Sequence, residues 1–109
     1  MSVKNVSCPV EATMEVIAGR WKILIIHQLL EDTKRFNQLQ RELGGITHRT
    51  LAKQLREMEE RGLIKRKDYQ EIPPRVEYSL TSLGRSLERV LLAMHAWGEY
   101  YGRIASRKK

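Results

Sequence analysis

Three basic residues are spaced so that an α-helix would place them on one face. Arg49, Lys53 and Arg56 are separated by four and three positions, which matches a period of 3.6 residues. Apolar residues recur at the same spacing on the opposite face, where they would point into a core: Leu51, Leu55 and Met58. The cationic face can bind phosphates or the acceptor edges of bases, so this helix is the candidate for nucleic-acid recognition.

Residues that commonly begin and end helices stand at both ends of this segment. The hydroxyl of Thr47 can accept a hydrogen bond from an amide of the first turn, and Gly62 can close the helix in the left-handed conformation. The first turn then lies at the positive end of the helix dipole. The candidate nucleic-acid-binding residues of the helix are His48, Arg49, Thr50, Lys53, Gln54 and Arg56.

The positive charge of the chain is concentrated around the same helix. Residues 47–67 contain seven Lys or Arg and three Glu, a net charge of +4 out of +7 for all 109 residues. The isoelectric point near 9.9 favours a polyanionic partner, nucleic acid before a membrane surface. The alternative is an ordinary amphipathic surface helix whose charged face is only solvated.

Length and composition predict a single domain over 1–109. No stretch approaches the roughly 20 apolar residues of a membrane span, and the first residues lack the apolar core of a signal peptide, so we expect a cytoplasmic protein. His27, His48 and His95 are not spaced as metal ligands, and no phosphate loop, nucleophile elbow or pair of catalytic carboxylates is present. We therefore expect neither an enzyme nor a cofactor.

The segments before the candidate helix are predicted to be helical. A proline suits the start of a short helix over about 9–18, and the run 20–30 is apolar nearly all round, which predicts a helix at the centre of the core. Residues 34–36 could be extended before Asn37 caps another helix. Two glycines separate that helix from the basic one, which is a helix-turn-helix arrangement over about 37–61.

After the glycine that ends the basic helix, the apolar period changes from 3.6 to 2. Val76, Tyr78 and Leu80 alternate with polar residues and predict a half-buried strand, paired with 63–69 in a hairpin wing over about 63–80. The predicted fold is mainly α with a small β-hairpin wing (α+β), a winged helix-turn-helix. The basic residues of the wing and its flank are candidates for contact with the sugar-phosphate backbone: Arg35, Lys65, Arg66, Lys67 and Arg75.

The last segment is predicted to be one helix over about 82–105, capped by Thr81. Its far half carries more apolar and aromatic surface than a small domain can cover alone. A second copy of the chain is the simplest cover, and two-fold pairing is the commonest arrangement. We therefore expect a homodimer.

Cys8 is the only cysteine, so the chain cannot form an internal disulfide. It is either a small packing residue or a thiol that a helix N-terminus, with Arg20 or Lys22 nearby, makes more nucleophilic. In the second case it would sense an oxidant or a small electrophile, and a disulfide between two subunits could move the reading helices.

These segments together resemble the HxlR family of winged helix-turn-helix transcriptional regulators, which are relatives of the MarR type. PPRVEYSLT directly after a basic strand is the most specific of the matching motifs. The others are CPV at 8–10, GRWKILIIHQL at 19–29, RFNQL at 35–39, the segment 45–66, and Gly84. The chain departs from the family at Thr33, where a glycine often stands, and at Arg20, where lysine is usual.

The resemblance implies a bacterial regulator, which we expect to be a repressor, that binds a pseudo-palindromic operator in double-stranded DNA as a homodimer. The dimer would be built from the first and last helices, with half-sites about 34–36 Å apart. Some members use a cysteine at the position of Cys8 to sense quinones, aldehydes or oxidants. The predicted interface residues are Val10, Met14, Leu91, Met94, Trp97 and Tyr101.

Two other interpretations of the winged domain stay open. It could serve for protein contact inside a larger assembly, in which case its charged face would be solvated and its DNA binding weak and non-specific. It could also bind RNA, which aromatic residues among the cations would favour, and the basic helix has none.

Overall fold

The computed structural model describes residues 8–107, which run through six helices and three strands. In chain order these are α1 (Pro9–Ile17), α2 (Trp21–Glu31), β1 (Lys34–Arg35), α3 (Phe36–Leu43), α4 (His48–Glu60), β2 (Ile64–Asp68), β3 (Val76–Leu80), α5 (Ser82–Arg85) and α6 (Glu88–Arg107). Helices α3 and α4 form the helix-turn-helix, and β2 and β3 form the wing. The predicted fold class, mainly helical with a small sheet, is confirmed.

Helix α2 lies at the centre of the core, as its apolar sequence predicts. Ile25, Ile26 and Leu29 are almost fully buried, and α2 packs against α3, α4, β3, α5 and α6. A helix that is apolar on several sides needs this cover on several sides. The other buried apolar side chains come from the elements around it and from the loops at either end of α4: Leu39, Ile46, Leu51, Leu55, Met58, Leu63, Ile64, Tyr78, Leu80 and Leu91.

The wing belongs to a three-stranded antiparallel sheet in the order β1-β3-β2. The sequence predicts only the hairpin, with 34–36 as an extended piece, because a two-residue strand carries too little alternation to be recognised. The register pairs of β1 and β3 are Lys34 with Tyr78 and Arg35 with Glu77. Helix α3 begins at Phe36, directly after β1, so the prediction that Asn37 caps this helix is wrong.

One charged side chain is buried where α2, β1 and α3 meet. Lys34 is only 4% exposed, and its Nζ donates to Gln28 Oε1 at 3.2 Å, to Glu31 Oε1 at 3.1 Å and to Glu42 Oε1. The hydrogen bond to Glu42 raises the pKa of Lys34, although burial opposes the rise, so the ammonium keeps its charge. A buried charge is stable only when it is paired in this way. Lys34 therefore ties the first helix of the helix-turn-helix to the core helix.

The last segment consists of two helices, so the prediction of one helix over 82–105 is wrong. Helix α5 ends at Arg85, and α6 begins at Glu88 after a turn at Ser86 and Leu87. In this turn, the backbone N–H of Ser86 donates to Leu83 O as well as to Ser82 O, and Leu87 N donates to Gly84 O. Hydrogen bonds over three residues tighten the backbone and interrupt the α-helix. Helix α6 has 20 residues and is about 30 Å long.

Helix α6 leaves the domain after Leu91. Leu91 is 8% exposed and packs in the core of this chain, so it offers little surface to the predicted dimer interface. Every residue over 92–103 is exposed. The apolar repeat continues from the part of the helix that covers the core into the part that projects, so spacing alone does not separate the two. Within residues 8–107, no helix has the length and apolar composition required to cross a membrane.

Candidate nucleic-acid interface

Helix α4 is anchored by its apolar face and by its N-cap. Leu51, Leu55 and Met58 are fully buried against the core, as the sequence predicts. The hydroxyl of Thr47 accepts a hydrogen bond from Thr50 N at 3.1 Å, which confirms the predicted N-cap. Gly62 follows the C-cap with a φ of +77°, a conformation that glycine adopts without strain. These contacts fix both ends of α4 and its rotation about its own axis.

The outer face of α4 presents the three predicted cations. Arg49, Lys53 and Arg56 are all exposed. None of them lies within 4 Å of a carboxylate as an ion pair among residues 8–107, whose ion pairs involve other cations. Their charges are therefore directed into solvent, where a polyanion can reach them.

The other candidates on α4 have partners within the chain. The exposed ring of His48 packs against Phe36 of α3, with 4.5 Å between ring centroids and an interplanar angle of 43°. Thr50 is half-buried, and its Oγ1 accepts from the Thr47 hydroxyl at 3.0 Å. Gln54 is half-buried, and its Oε1 accepts from Lys22 Nζ at 2.8 Å. These side chains line the margin of the cationic face.

An ion pair that sequence reasoning missed joins α2 to α4. Lys22 is 12% exposed at its side chain, and its Nζ lies 2.8 Å from Glu57 Oε1. The hydrogen bond from Lys22 lowers the pKa of Glu57, with smaller contributions from the charges of Lys53 and Arg61. Glu15 of α1 lies 3.7 Å from Arg61 at the end of the same helix. No local spacing signals contacts between residues so far apart in the sequence.

The sheet register divides the predicted wing cations between two faces. Arg66 pairs with the buried Tyr78 and therefore shares its face of the sheet. The register also shows that the remaining cations of the wing and flank lie on the other face: Arg35, Lys65, Lys67 and Arg75. Arg75 is half-buried and donates to Glu71 Oε2 at 3.2 Å, whereas the others are exposed.

Tyr69 is the wing residue that the sequence analysis missed. Its ring centroid lies 3.6 Å from Arg75 Cζ and 4.6 Å from Lys67 Nζ, and its hydroxyl donates to Glu77 Oε1 at 2.8 Å. In the sequence, a tyrosine at the end of a basic strand is indistinguishable from an ordinary strand residue. Only the strand register brings its side chain together with those of Lys67, Arg75 and Glu77.

The residues predicted for dimerisation and sensing lie on α1 and α6. Val10 and Met14 are exposed on α1, and Met94, Trp97 and Tyr101 are exposed on α6. The rings of Trp97 and Tyr101 stack with centroids 5.3 Å apart. Cys8 is half-buried at the N-cap of α1, where its side chain makes no capping hydrogen bond. No group of three or more metal-binding side chains is assembled in the described part of the chain.

Comparison with known proteins identifies the family. The family model described as HxlR-like helix-turn-helix matches residues 16–106. The helix-turn-helix-type transcriptional regulator YdeP of Bacillus subtilis is 49% identical over 94 residues, which are 86% of this chain and 73% of that protein.

Solved structures agree with this assignment. The redox regulator HypR in its reduced form superposes with a TM-score of 0.86 at 43% identity, covering 92% of this chain and 99% of that one. Its oxidised form gives 0.80 at 47% identity, covering 85% and 96%. Reduced YodB from B. subtilis gives 0.75 at 34% identity, covering 86% and 93%. The chain therefore belongs to the HxlR-like helix-turn-helix family and is a transcriptional regulator of the helix-turn-helix type, not an enzyme.

Proposed function

We propose that this regulator binds a specific DNA sequence by inserting α4 into the major groove. The observation that carries the proposal is the outer face of α4, where Arg49, Lys53 and Arg56 are exposed and make no ion pair with the described carboxylates. An α-helix fits the major groove, and arginine can donate two hydrogen bonds to guanine there. The cations of the wing would then hold the flanking phosphates.

In this proposal, the regulator binds DNA as a homodimer. Helix α6 projects from the domain with large apolar side chains exposed over 92–103, and α1 exposes Val10 and Met14. A second copy that covers these surfaces generates two-fold symmetry, which matches a pseudo-palindromic operator. Half-sites would then lie about 34–36 Å apart, one turn of the duplex.

We further propose that the protein acts in the bacterial cytoplasm as a repressor that occupies its operator. A gel shift with the DNA upstream of its own gene, with and without excess competitor duplex or RNA, tests the DNA-binding proposal. Retention of the specific shift under competitor DNA supports it. If any competitor duplex abolishes the gel shift, the result favours a winged domain that serves for protein contact. If RNA abolishes it preferentially, the result favours an RNA-binding module.

Two alanine variants distinguish sequence reading from phosphate binding. Arg49→Ala is expected to weaken binding of the operator about 5- to 150-fold for each half-site, because each protomer loses a bidentate contact with guanine. Binding of a scrambled duplex should change much less. Lys67→Ala is expected to weaken binding of both duplexes alike and to lower the salt slope of log K by about 1.8, because the dimer loses one phosphate contact in each half-site. Fluorescence anisotropy titrations at several salt concentrations measure both effects.

Arg103→Ala is the matched control for these variants. Arg103 is exposed on the side of α6 opposite Met94 and Tyr101, so its loss removes the same charge away from the proposed DNA surface and from the apolar side chains proposed for dimerisation. Equal losses on operator and scrambled duplex for Arg49→Ala would contradict base reading by this residue.

We also propose that Cys8 makes the regulator responsive to oxidants or electrophiles. The thiol lies half-buried at the N-terminus of α1 and makes no capping hydrogen bond. Among the relatives, HypR is called a redox regulator, and YodB was also solved after diamide treatment. Two thiols, one from each protomer, would lose two protons and two electrons to a two-electron oxidant such as diamide and form a disulfide. Glu15 and Arg61 connect α1 to the end of α4, so a shift of α1 has a route to the reading helix.

Diamide treatment is expected to change the operator affinity of the wild type several-fold and to leave Cys8→Ser unchanged. Non-reducing gel electrophoresis follows formation of the disulfide-linked dimer in the same samples. If the wild type forms no disulfide, Cys8 is a packing residue, and if it forms the disulfide completely but binds the operator as before, the bond does not control binding; either result overturns the sensing proposal.

A further inference from the structure

Four side chains meet on one face of the wing. Tyr69 stands opposite Arg75, to which its backbone N–H donates at 3.0 Å, and Lys67 stands opposite Glu77. Side chains alternate between the two faces of a strand, and cross-strand partners share a face. All four therefore lie on the same side of the hairpin, and we call them the wing-tip cluster: Lys67, Tyr69, Arg75 and Glu77.

Tyr69 contacts each of the other members of the cluster. Arg75 lies 3.6 Å and Lys67 lies 4.6 Å from the ring centroid. Both distances are short enough for a cation–π interaction, which acts within about 6 Å of the centroid. The hydroxyl donates to Glu77 Oε1 at 2.8 Å and so holds the ring in place. Removing the ring would leave two long cationic side chains without this common support.

The buried edge of the Arg75 guanidinium group packs against an aromatic ring and makes no hydrogen bond in the described part of the chain. Its Nε is buried and has no hydrogen-bond partner in the described part of the chain, while Nη2 reaches Glu71 on the solvent side. A buried donor without an acceptor is unfavourable, so the contact with the Tyr69 ring must offset this loss. The stack on Tyr69 and the ion pair with Glu71 together hold the guanidinium in place.

We infer that Tyr69 is a positioning residue that holds Lys67 and Arg75 at the wing tip for contact with phosphates of the DNA backbone. The inference rests on the proposed binding of duplex DNA by the same domain. Long basic side chains lose rotamer freedom when they bind a phosphate, and a scaffold that orders them beforehand reduces that loss. Both cations are attracted to the π electrons of the ring, and the carboxylate of Glu77 offsets their mutual repulsion.

The test compares Tyr69→Leu with Tyr69→Phe. Tyr69→Leu keeps the charge of the protein but removes the ring. We expect the Kd to rise about fivefold for operator and scrambled duplex alike, because contacts with phosphates do not depend on the base sequence. Tyr69→Phe keeps the ring face and is expected to restore most of the affinity. In the free protein, NMR should show upfield ring-current shifts of the Arg75 and Lys67 side-chain protons in the wild type and in Tyr69→Phe, and not in Tyr69→Leu.

Ile72→Ala is the control for a general disturbance of the wing, because Ile72 lies in the wing loop and is 99% exposed. It should bind DNA as the wild type does. If Tyr69→Leu matches the wild type on a duplex that the wild type binds, or if Tyr69→Phe loses as much affinity as Tyr69→Leu, the inference is overturned and the proposed function stands. If the wild type itself fails to bind duplex DNA, the proposed function is overturned, and the inference with it.

Discussion

Trp97→Glu is expected to convert the regulator into a monomer and to weaken operator binding about 100-fold or more, because two linked half-site contacts become one. Trp97 is 62% exposed and stacks on Tyr101 in the part of α6 that projects from the domain. In a dimer, the new carboxylate would be buried against apolar side chains without a partner, which is strongly unfavourable. Sedimentation gives the mass, and anisotropy titration gives the affinity.

The domain itself should tolerate this change, since Trp97 does not belong to the core. His95→Glu is the matched control: it places the same carboxylate on the same helix two residues away, on the opposite face from Trp97. His95 is exposed, and its only described ion pair is with Glu99 at 3.5 Å. A Trp97→Glu variant that remains dimeric at micromolar concentration would exclude this face of α6 from the interface.

Gly84→Ala is expected to lower the free energy of unfolding by about 3 kcal/mol. A Cβ atom at this position would lie 2.1 Å from Leu63 O, 3.0 Å from Leu63 C and 3.2 Å from Leu80 Cδ2. The obstacle is backbone and cannot rotate away, so α5 would have to move off the segment that joins α4 to β2. That movement would also strain the cap at Thr81, whose hydroxyl accepts from Gly84 N at 3.0 Å and donates to Leu63 O at 3.0 Å.

Thermal unfolding at one fixed protein concentration measures the effect, and we expect the Tm to fall by more than about 10 °C. Gly102→Ala serves as the control, because a Cβ there meets nothing within 4 Å and alanine favours a helix interior over glycine by about 1 kcal/mol. The two substitutions add the same methyl group and should have opposite signs. A Tm for Gly84→Ala equal to that of the wild type would show that α5 is free to shift.

The local periodicity of the sequence was sufficient to predict the reading helix. Leu51 and Leu55 are buried and Arg49 and Lys53 are exposed because all of them lie on one helix, whose geometry converts spacing directly into faces. The caps at Thr47 and Thr81 were predictable for the same reason: a hydroxyl and the amide it binds are three residues apart. The strands of the wing followed from the alternation of apolar and polar residues.

Predictions that depended on where a segment lies relative to the core were less successful. Leu91 and Trp97 belong to the same apolar repeat, yet the first packs in the core and the second is exposed on the projecting part of α6, where it stacks on Tyr101. Asn37 looked like a cap because asparagine often is one, but β1 extends the backbone up to Phe36 through pairing with β3. The exposure of α6 depends on how far the helix extends past the elements it packs against. The start of α3 depends on pairing with a strand far along the chain.

By itself, therefore, the sequence determined the elements, their inner and outer faces, the cations on the outer face of α4 and the family to which the chain belongs, because each of these depends on residue types at short spacing. The tertiary structure alone decided which charges are free and which are held. Lys22 reaches Glu57, Lys34 is buried among acceptors from α2 and α3, and Tyr69 gathers two cations at the wing tip. These contacts depend on how the helices and strands pack against one another. The spacing of residues along the chain does not show which distant residues will meet.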